Sequence, residues 1–290
     1  VADDGWHPYW TITTPIGGSR VPTWFARVRP WLALAGVAAI LGALLPPVAS
    51  YARHDEFAES LQFVIFATAG PALLVLGAPW RVLRLSRRPE PGLARQQPPA
   101  GLADRIARSR SRRPGVVRAS AVLVTFIAAA IGWRLPVTVT ALAREPGLAA
   151  AEMVTLVAAG SAVWLELVES PPLLPRLLRP QRAAVAALSM WSIWVLAYLM
   201  GLSHVAWSAA FSHAPGHGLS TAADQQIAAG VMWAVPALCF VPVIYAVLIT
   251  WLRDSEDPDE ELRRASAGDP EGTAAHSWPR PPRGWHTPSA

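Results

Sequence analysis

The sequence contains no lysine; all 25 basic residues among its 290 are arginine. With the abundant alanine and proline, this reads as the codon bias of a GC-rich genome and carries no functional content. Cysteine is almost missing too. Cys239 stands alone inside an apolar run, which excludes a disulfide within one chain and any cysteine-based metal motif. Charge of either sign is scarce, at 16% of residues against roughly 25% in a soluble domain. The few charges gather in the first thirty residues, in 81–118, in 166–182 and after 252. A soluble helix needs charge along its whole outer face, so this block pattern makes lipid the solvent. No P-loop, Gly-x-Gly-x-x-Gly, Ser-His-Asp set or His-Glu-x-x-His occurs, and nothing points to a hydrolase or to any other enzyme.

What remains is apolar. Hydrophobic residues make up 52% of the chain, and the mean hydropathy is +0.30. Six runs, 31–49, 61–79, 119–141, 149–168, 183–202 and 227–252, are each near the ~20 residues that cross ~30 Å of hydrocarbon. The expected fold is all-α: a polytopic membrane protein built as a bundle of about six transmembrane helices. A polar segment, 1–30, precedes the 31–252 helical domain, and 253–290 reads as a flexible tail. Pro46-Pro47-Val48-Ala49-Ser50 is a poor cleavage site, so the first run is expected to be a retained helix. Gly70-Pro71 predicts a kink in the second. Arg134 and Pro136 interrupt the third, ending its helix near Trp133.

Arginine sets the expected orientation. Residues 81–118 hold eleven arginines, and 169–182 hold Arg176, Arg179 and Arg182. By contrast, 50–60 has only Arg53, 142–148 only Arg144, and 203–226 none. The positive-inside rule puts the two basic connections and both termini in the cytoplasm. Basic charge placed beside apolar spans sets topology, so no nucleic-acid partner is expected despite a pI near 10.3. Membrane lipid is the partner it suits, and the 81–118 connection can touch anionic headgroups.

This topology collects polar residues on the outer side: His54, Asp55, Glu56 and Glu59 before the second span, Glu152 at the start of the fourth, His204, His213 and His217 after the fifth, and Asp224 before the sixth. Imidazole and carboxylate suit Cu(II) or Zn(II), and Met153 or Met200 suits a softer Cu(I) site. The candidate metal ligands are therefore His54, Glu59, Glu152, Met153, His204, His213, His217 and Asp224. The competing reading makes 212–218 a solvated turn, since Pro215 and Gly216 remove the helical spacing between His213 and His217. Glu59 and Glu152 either face the bundle interior or lie at headgroup depth. Arg134 either snorkels outward or pairs with an acid such as Glu152. Asp224 can cap its own helix. Trp80, Trp133, Trp233 and Trp251 suit interfacial belts or packing. His7, His276 and His286 sit in the tails, where no site is expected.

Several segments together resemble one family. Pro71-Ala-Leu-Leu-Val-Leu-Gly-Ala-Pro79, Arg134-Leu-Pro136, Leu148-Ala-Ala-Ala-Glu-Met153, Gly160 to Trp164 and Asp224-Gln-Gln-Ile-Ala-Ala-Gly-Val-Met-Trp233 are similar to the multi-span CtaG-like cytochrome c oxidase assembly proteins. The resemblance covers roughly 60–250, and 224–233 is its most specific part. It implies a bacterial plasma-membrane protein that matures a haem–copper oxidase, with oxidase subunits as partners and copper as the implied cofactor or cargo. This chain departs from the family's histidine pairs. Glu59 and Phe63 stand where the first pair is usual, and Ala149 and Met153 stand at the second, around the retained Glu152. Phe63 and Ala149 cannot ligate a metal. The alternatives are a metal-ion or small-solute transporter, with Glu59, Glu152 and Arg134 lining its path, and a structural membrane subunit without a ligand.

Overall fold

The computed structural model describes residues 23–82, 115–170, 173, 175, 177–211 and 219–267. Among them, six helices are long and apolar enough to cross a membrane, as the hydropathy pattern predicts. They are α1 (Thr23–Leu44), α2 (Glu56–Gly77), α3 (Gly115–Arg134), α4 (Pro146–Leu167), α5 (Arg179–Leu202) and α6 (Thr221–Ala267). Short helices at Val48–Tyr51, Pro79–Val82 and Pro136–Arg144 lie in the connections.

Proline starts helices here more than it breaks them. Pro136, Pro146 and Pro180 each occupy the first turn of a helix, where the missing N–H has no intrahelical partner to lose. α3 stops at Arg134 because Leu135, which precedes a proline, is driven to extended backbone at φ −62°, ψ 138°. The chain then resumes as the helix Pro136–Arg144. Within α2 the Gly70-Pro71 pair follows a π-helical turn at Ile65–Ala69. Pro71 cannot donate to the Ala67 carbonyl and its ring crowds it, and the wider turn absorbs the misfit. α6 runs on to Ala267, so the first part of the 253–290 stretch, expected as flexible, is helical. The rest of that tail, most of 1–30 and most of 81–118 lie outside the described residues.

α2 is the hub of the bundle. Some 67% of its span is buried inside the protein, against 17–50% for the other five. It packs on α1, α4 and α6, while α5 packs on α6 and α3 packs on α4. Small residues set two close crossings. A Cβ on Gly36 of α1 would lie 2.9 Å from the Leu74 backbone nitrogen, and one on Gly160 of α4 would collide with the Ala67 carbonyl. Lipid gives helices no hydrophobic reason to associate, so close backbone approach supplies much of the attraction. Aromatic rings fill the remaining interior, with Trp164 stacked on Phe240 at 5.0 Å between centroids. The outside is apolar as well. Leu34, Val124, Leu188, Leu238 and Tyr245 are all exposed, as membrane-facing side chains must be.

Candidate functional site

Arg134 closes α3, and its side chain is buried with only 1% exposure. A guanidinium in that position needs a full set of partners. Its Nη1 pairs with Glu59 on α2, and its Nη2 donates to the Ser60 hydroxyl at 3.0 Å and lies 3.3 Å from the Met200 sulfur on α5. The Phe63 ring centroid lies 5.2 Å from the guanidinium carbon, within reach of a cation–π attraction. Of the two readings open in the sequence, snorkelling is excluded, and the acid that pairs is Glu59 rather than Glu152. Glu152, at 2% exposure, still lies within the electrostatic field of Glu59 and Arg134.

Asp224 joins the same end by an unexpected route. Its carboxylate does not cap α6. It reaches across to α2 instead, accepting the Glu56 N–H at 2.7 Å and the Phe57 N–H at 3.1 Å. Those amides are among the four first-turn donors that a helix cannot satisfy by itself. The entry to α6 uses Ser220, whose hydroxyl accepts the Ala223 N–H at 3.2 Å. With this external cap, α2 starts at Glu56, ahead of the apolar run at 61, and carries Glu56 and Glu59 into the bundle.

Gln225 stitches the connection after α5 in place. Its amide donates to the Met200 carbonyl at 2.7 Å and the Ser203 carbonyl at 3.1 Å, and its oxygen accepts the Trp207 N–H at 2.9 Å. Trp207 in turn donates its indole N–H to the Arg134 carbonyl at 2.9 Å. The ends of α2, α3, α5 and α6 thereby form one network, with the Glu152 end of α4 beside it.

Acid exceeds base in this cluster. Asp55, Glu56, Glu59, Glu152 and Asp224 are buried with Arg134, and Glu56, Glu59 and Glu152 each have one buried carboxylate oxygen without a hydrogen-bond partner. Glu59, Glu152, Gln62 and Arg53 line a cavity of about 290 Å³, whose remaining wall is apolar.

The other candidate ligands among the described residues do not join the acids. His54 is exposed, with Nδ1 2.8 Å from the Ser50 carbonyl oxygen, and His204 is exposed in the connection after α5. Met153 is half-buried and packs against the core. His213 and His217 lie outside the described residues. Among the described residues, no group of three or more histidine, cysteine or acidic side chains stands close enough to hold a metal ion. Glu59 is committed to Arg134, Asp224 to two backbone amides, and the Met200 sulfur to Arg134, so these residues do not fit a copper ion.

Sequence reasoning passed over Ser60 and Trp207 and gave Gln225 no role. One signal was present for α2. Glu56, Glu59, Ser60 and Phe63 fall at helical spacing on a single face, so a polar stripe enters an otherwise apolar span.

A six-span helical bundle with a buried, acid-rich ion-pair network at one end defines a polytopic membrane protein whose polar residues face inward. The family model for the cytochrome c oxidase caa3 assembly factor (Caa3_CtaG) matches residues 9–254. The chain belongs to that family. No curated protein and no solved structure matches it.

Proposed function

We propose that this chain assists assembly of a caa3-type haem–copper oxidase from within the bacterial plasma membrane, as a non-catalytic helical partner of oxidase subunits. The observation that carries the reading is the family match over 9–254, which takes in all six spans and the whole Arg134 cluster. The arginine distribution supports an orientation with both termini in the cytoplasm and the cluster at the outer face. The cluster's chemistry favours a part in subunit binding over copper insertion, because its acids serve Arg134 and the first turn of α2.

Deletion of the gene is expected to lower cytochrome c oxidase activity and haem content, with recovery on return of the wild-type chain but not of Arg134→Met. Co-purification and mass spectrometry should then find oxidase subunits with the wild-type protein. Normal oxidase with altered cation uptake would overturn the reading in favour of transport. Near-stoichiometric copper in protein from copper-replete cells, lost in His204→Ala, would instead establish a copper-carrying role.

A further inference from the structure

The family resemblance implies copper, and Glu59 and Phe63 stand where its first histidine pair is usual. In the bundle both side chains meet a positive charge that the chain supplies itself. We infer that the Arg134 guanidinium is the resident cation of a site that a metal ion would otherwise fill. This end of the bundle then closes without metal, whatever part the chain plays in oxidase assembly.

The donor set carries the inference. Arg134 Nη1 pairs with the Glu59 carboxylate, and Nη2 lies 3.0 Å from the Ser60 hydroxyl and 3.3 Å from the Met200 sulfur. The Phe63 ring centroid stands 5.2 Å from the central carbon. Carboxylate and thioether are metal ligands, and a thioether is only a weak acceptor of hydrogen bonds. Its place against the guanidinium is that of a soft ligand facing a cation. Metal centres in helical bundles collect such groups from facing helices. Here α2 and α5 bring the donors, and α3 brings the charge. The frame is held from behind as well. Gln225 donates to the Met200 carbonyl at 2.7 Å, and the Trp207 indole N–H to the Arg134 carbonyl at 2.9 Å.

Burial makes the two cations exclusive. Arg134 and Glu59 are both buried, so a metal ion brought to Glu59 would meet a fixed positive charge with almost no solvent to screen it. The guanidinium also differs in kind from what it replaces. A bound metal is in equilibrium with its supply and competes with protons for its ligands. Arginine carries its charge at every working pH. A junction of three helices built on it needs no metal to assemble and loses none to a chelator.

The test exchanges one cation for the other in the full chain in detergent, with metal content and thermal midpoint as readouts. Wild-type protein from cells grown with copper and zinc should hold no metal that depends on Glu59, and EDTA should leave its midpoint unmoved. Phe63→His alone should gain no metal, because the guanidinium keeps its place. Phe63→His/Arg134→Ala, which adds an imidazole and removes that charge, should bind one Zn(II) per chain with a saturable upward shift. Adding Glu59→Gln should weaken this binding by at least the ~10–100-fold that even supporting contacts of a metal site are worth. Arg134→Ala alone carries the test if the double variant does not fold. Methylguanidinium should raise its midpoint saturably and leave the wild type unmoved. Four results would overturn the inference: wild-type metal that is lost in Glu59→Gln, equal zinc binding by Phe63→His with and without Arg134, no zinc in a folded double variant, or no response of Arg134→Ala to methylguanidinium. All are read on the purified chain, so this inference and the assembly reading fail separately.

Discussion

At the arginine-rich end of the bundle, Arg118 of α3 meets Glu166 of α4 through two parallel bonds of 2.8 and 2.7 Å, one to each carboxylate oxygen. At the opposite end, Arg134 gives Glu59 one bond and turns Nη2 to a hydroxyl and a thioether, while Glu56, Glu59 and Glu152 each keep one carboxylate oxygen unpartnered. Both guanidinium groups are buried and both join helices, yet only the first is matched to its acid. A matched pair fixes the α3–α4 contact and leaves little chemistry over. The unmatched end keeps spare acceptor capacity, which is what a place of interaction requires and a purely structural clamp does not.

Removing the cations should separate the two ends most sharply. Arg134→Met and Arg118→Met should each cost about 3–5 kcal/mol, because each strands a buried carboxylate. The double variant Arg118→Met/Glu166→Leu should regain most of that loss, since an apolar pair can replace a buried ion pair at little cost. Arg134→Met/Glu59→Leu should not, because Glu56 and Glu152 stay buried. Thermal midpoints in one detergent check all four, and equal recovery at both ends would erase the distinction. Gly160→Ala, which drives a methyl group into the Ala67 carbonyl between the ends, should cost about 1–3 kcal/mol by overpacking. Asp224→Asn should cost about 1 kcal/mol through the weakened cap on α2, with faster hydrogen exchange at Glu56 and Phe57 as its local signature. Ser170→Ala is the mildest. It removes a 2.7 Å bond from the connection after α4 to the Val75 carbonyl of α2, and side-chain hydrogen bonds in membrane proteins average about 0.6 kcal/mol.

The fold was far more legible than the site. Six apolar runs declare six spans because crossing hydrocarbon imposes a length and a composition that few other constraints mimic. The stop at Arg134 could be read from Pro136, since the residue before proline leaves the α region for a local steric reason. The π-helical turn before Pro71 could not, because a kink and a wider turn answer the same clash and packing chooses between them. The choice of partner was hidden in the same way. Arg134 had several acids available at its depth, and only the crossing of α2 and α3 assigns Glu59. Asp224 carries every mark of a cap, but sequence proximity favoured its own helix, and nothing local shows that Ser220 already fills that role. Phe63 was marked as a departure from a histidine pattern, whereas in the bundle it is a seat for the guanidinium.

The reach of Asp224 also has a consequence for biogenesis. The residues it joins are 168 positions apart, a gap that a ribosome needs about 10–30 s to bridge at ordinary elongation rates. Through that interval the leading amides of the second span have no carboxylate from the sixth. The hub of the bundle therefore enters the bilayer with its first turn unfinished and depends on temporary company, such as water or headgroup phosphates. The last span to insert completes the first turn of one of the earliest, so a chain halted after α5 would keep the α1–α2 and α2–α4 crossings while this end stayed open.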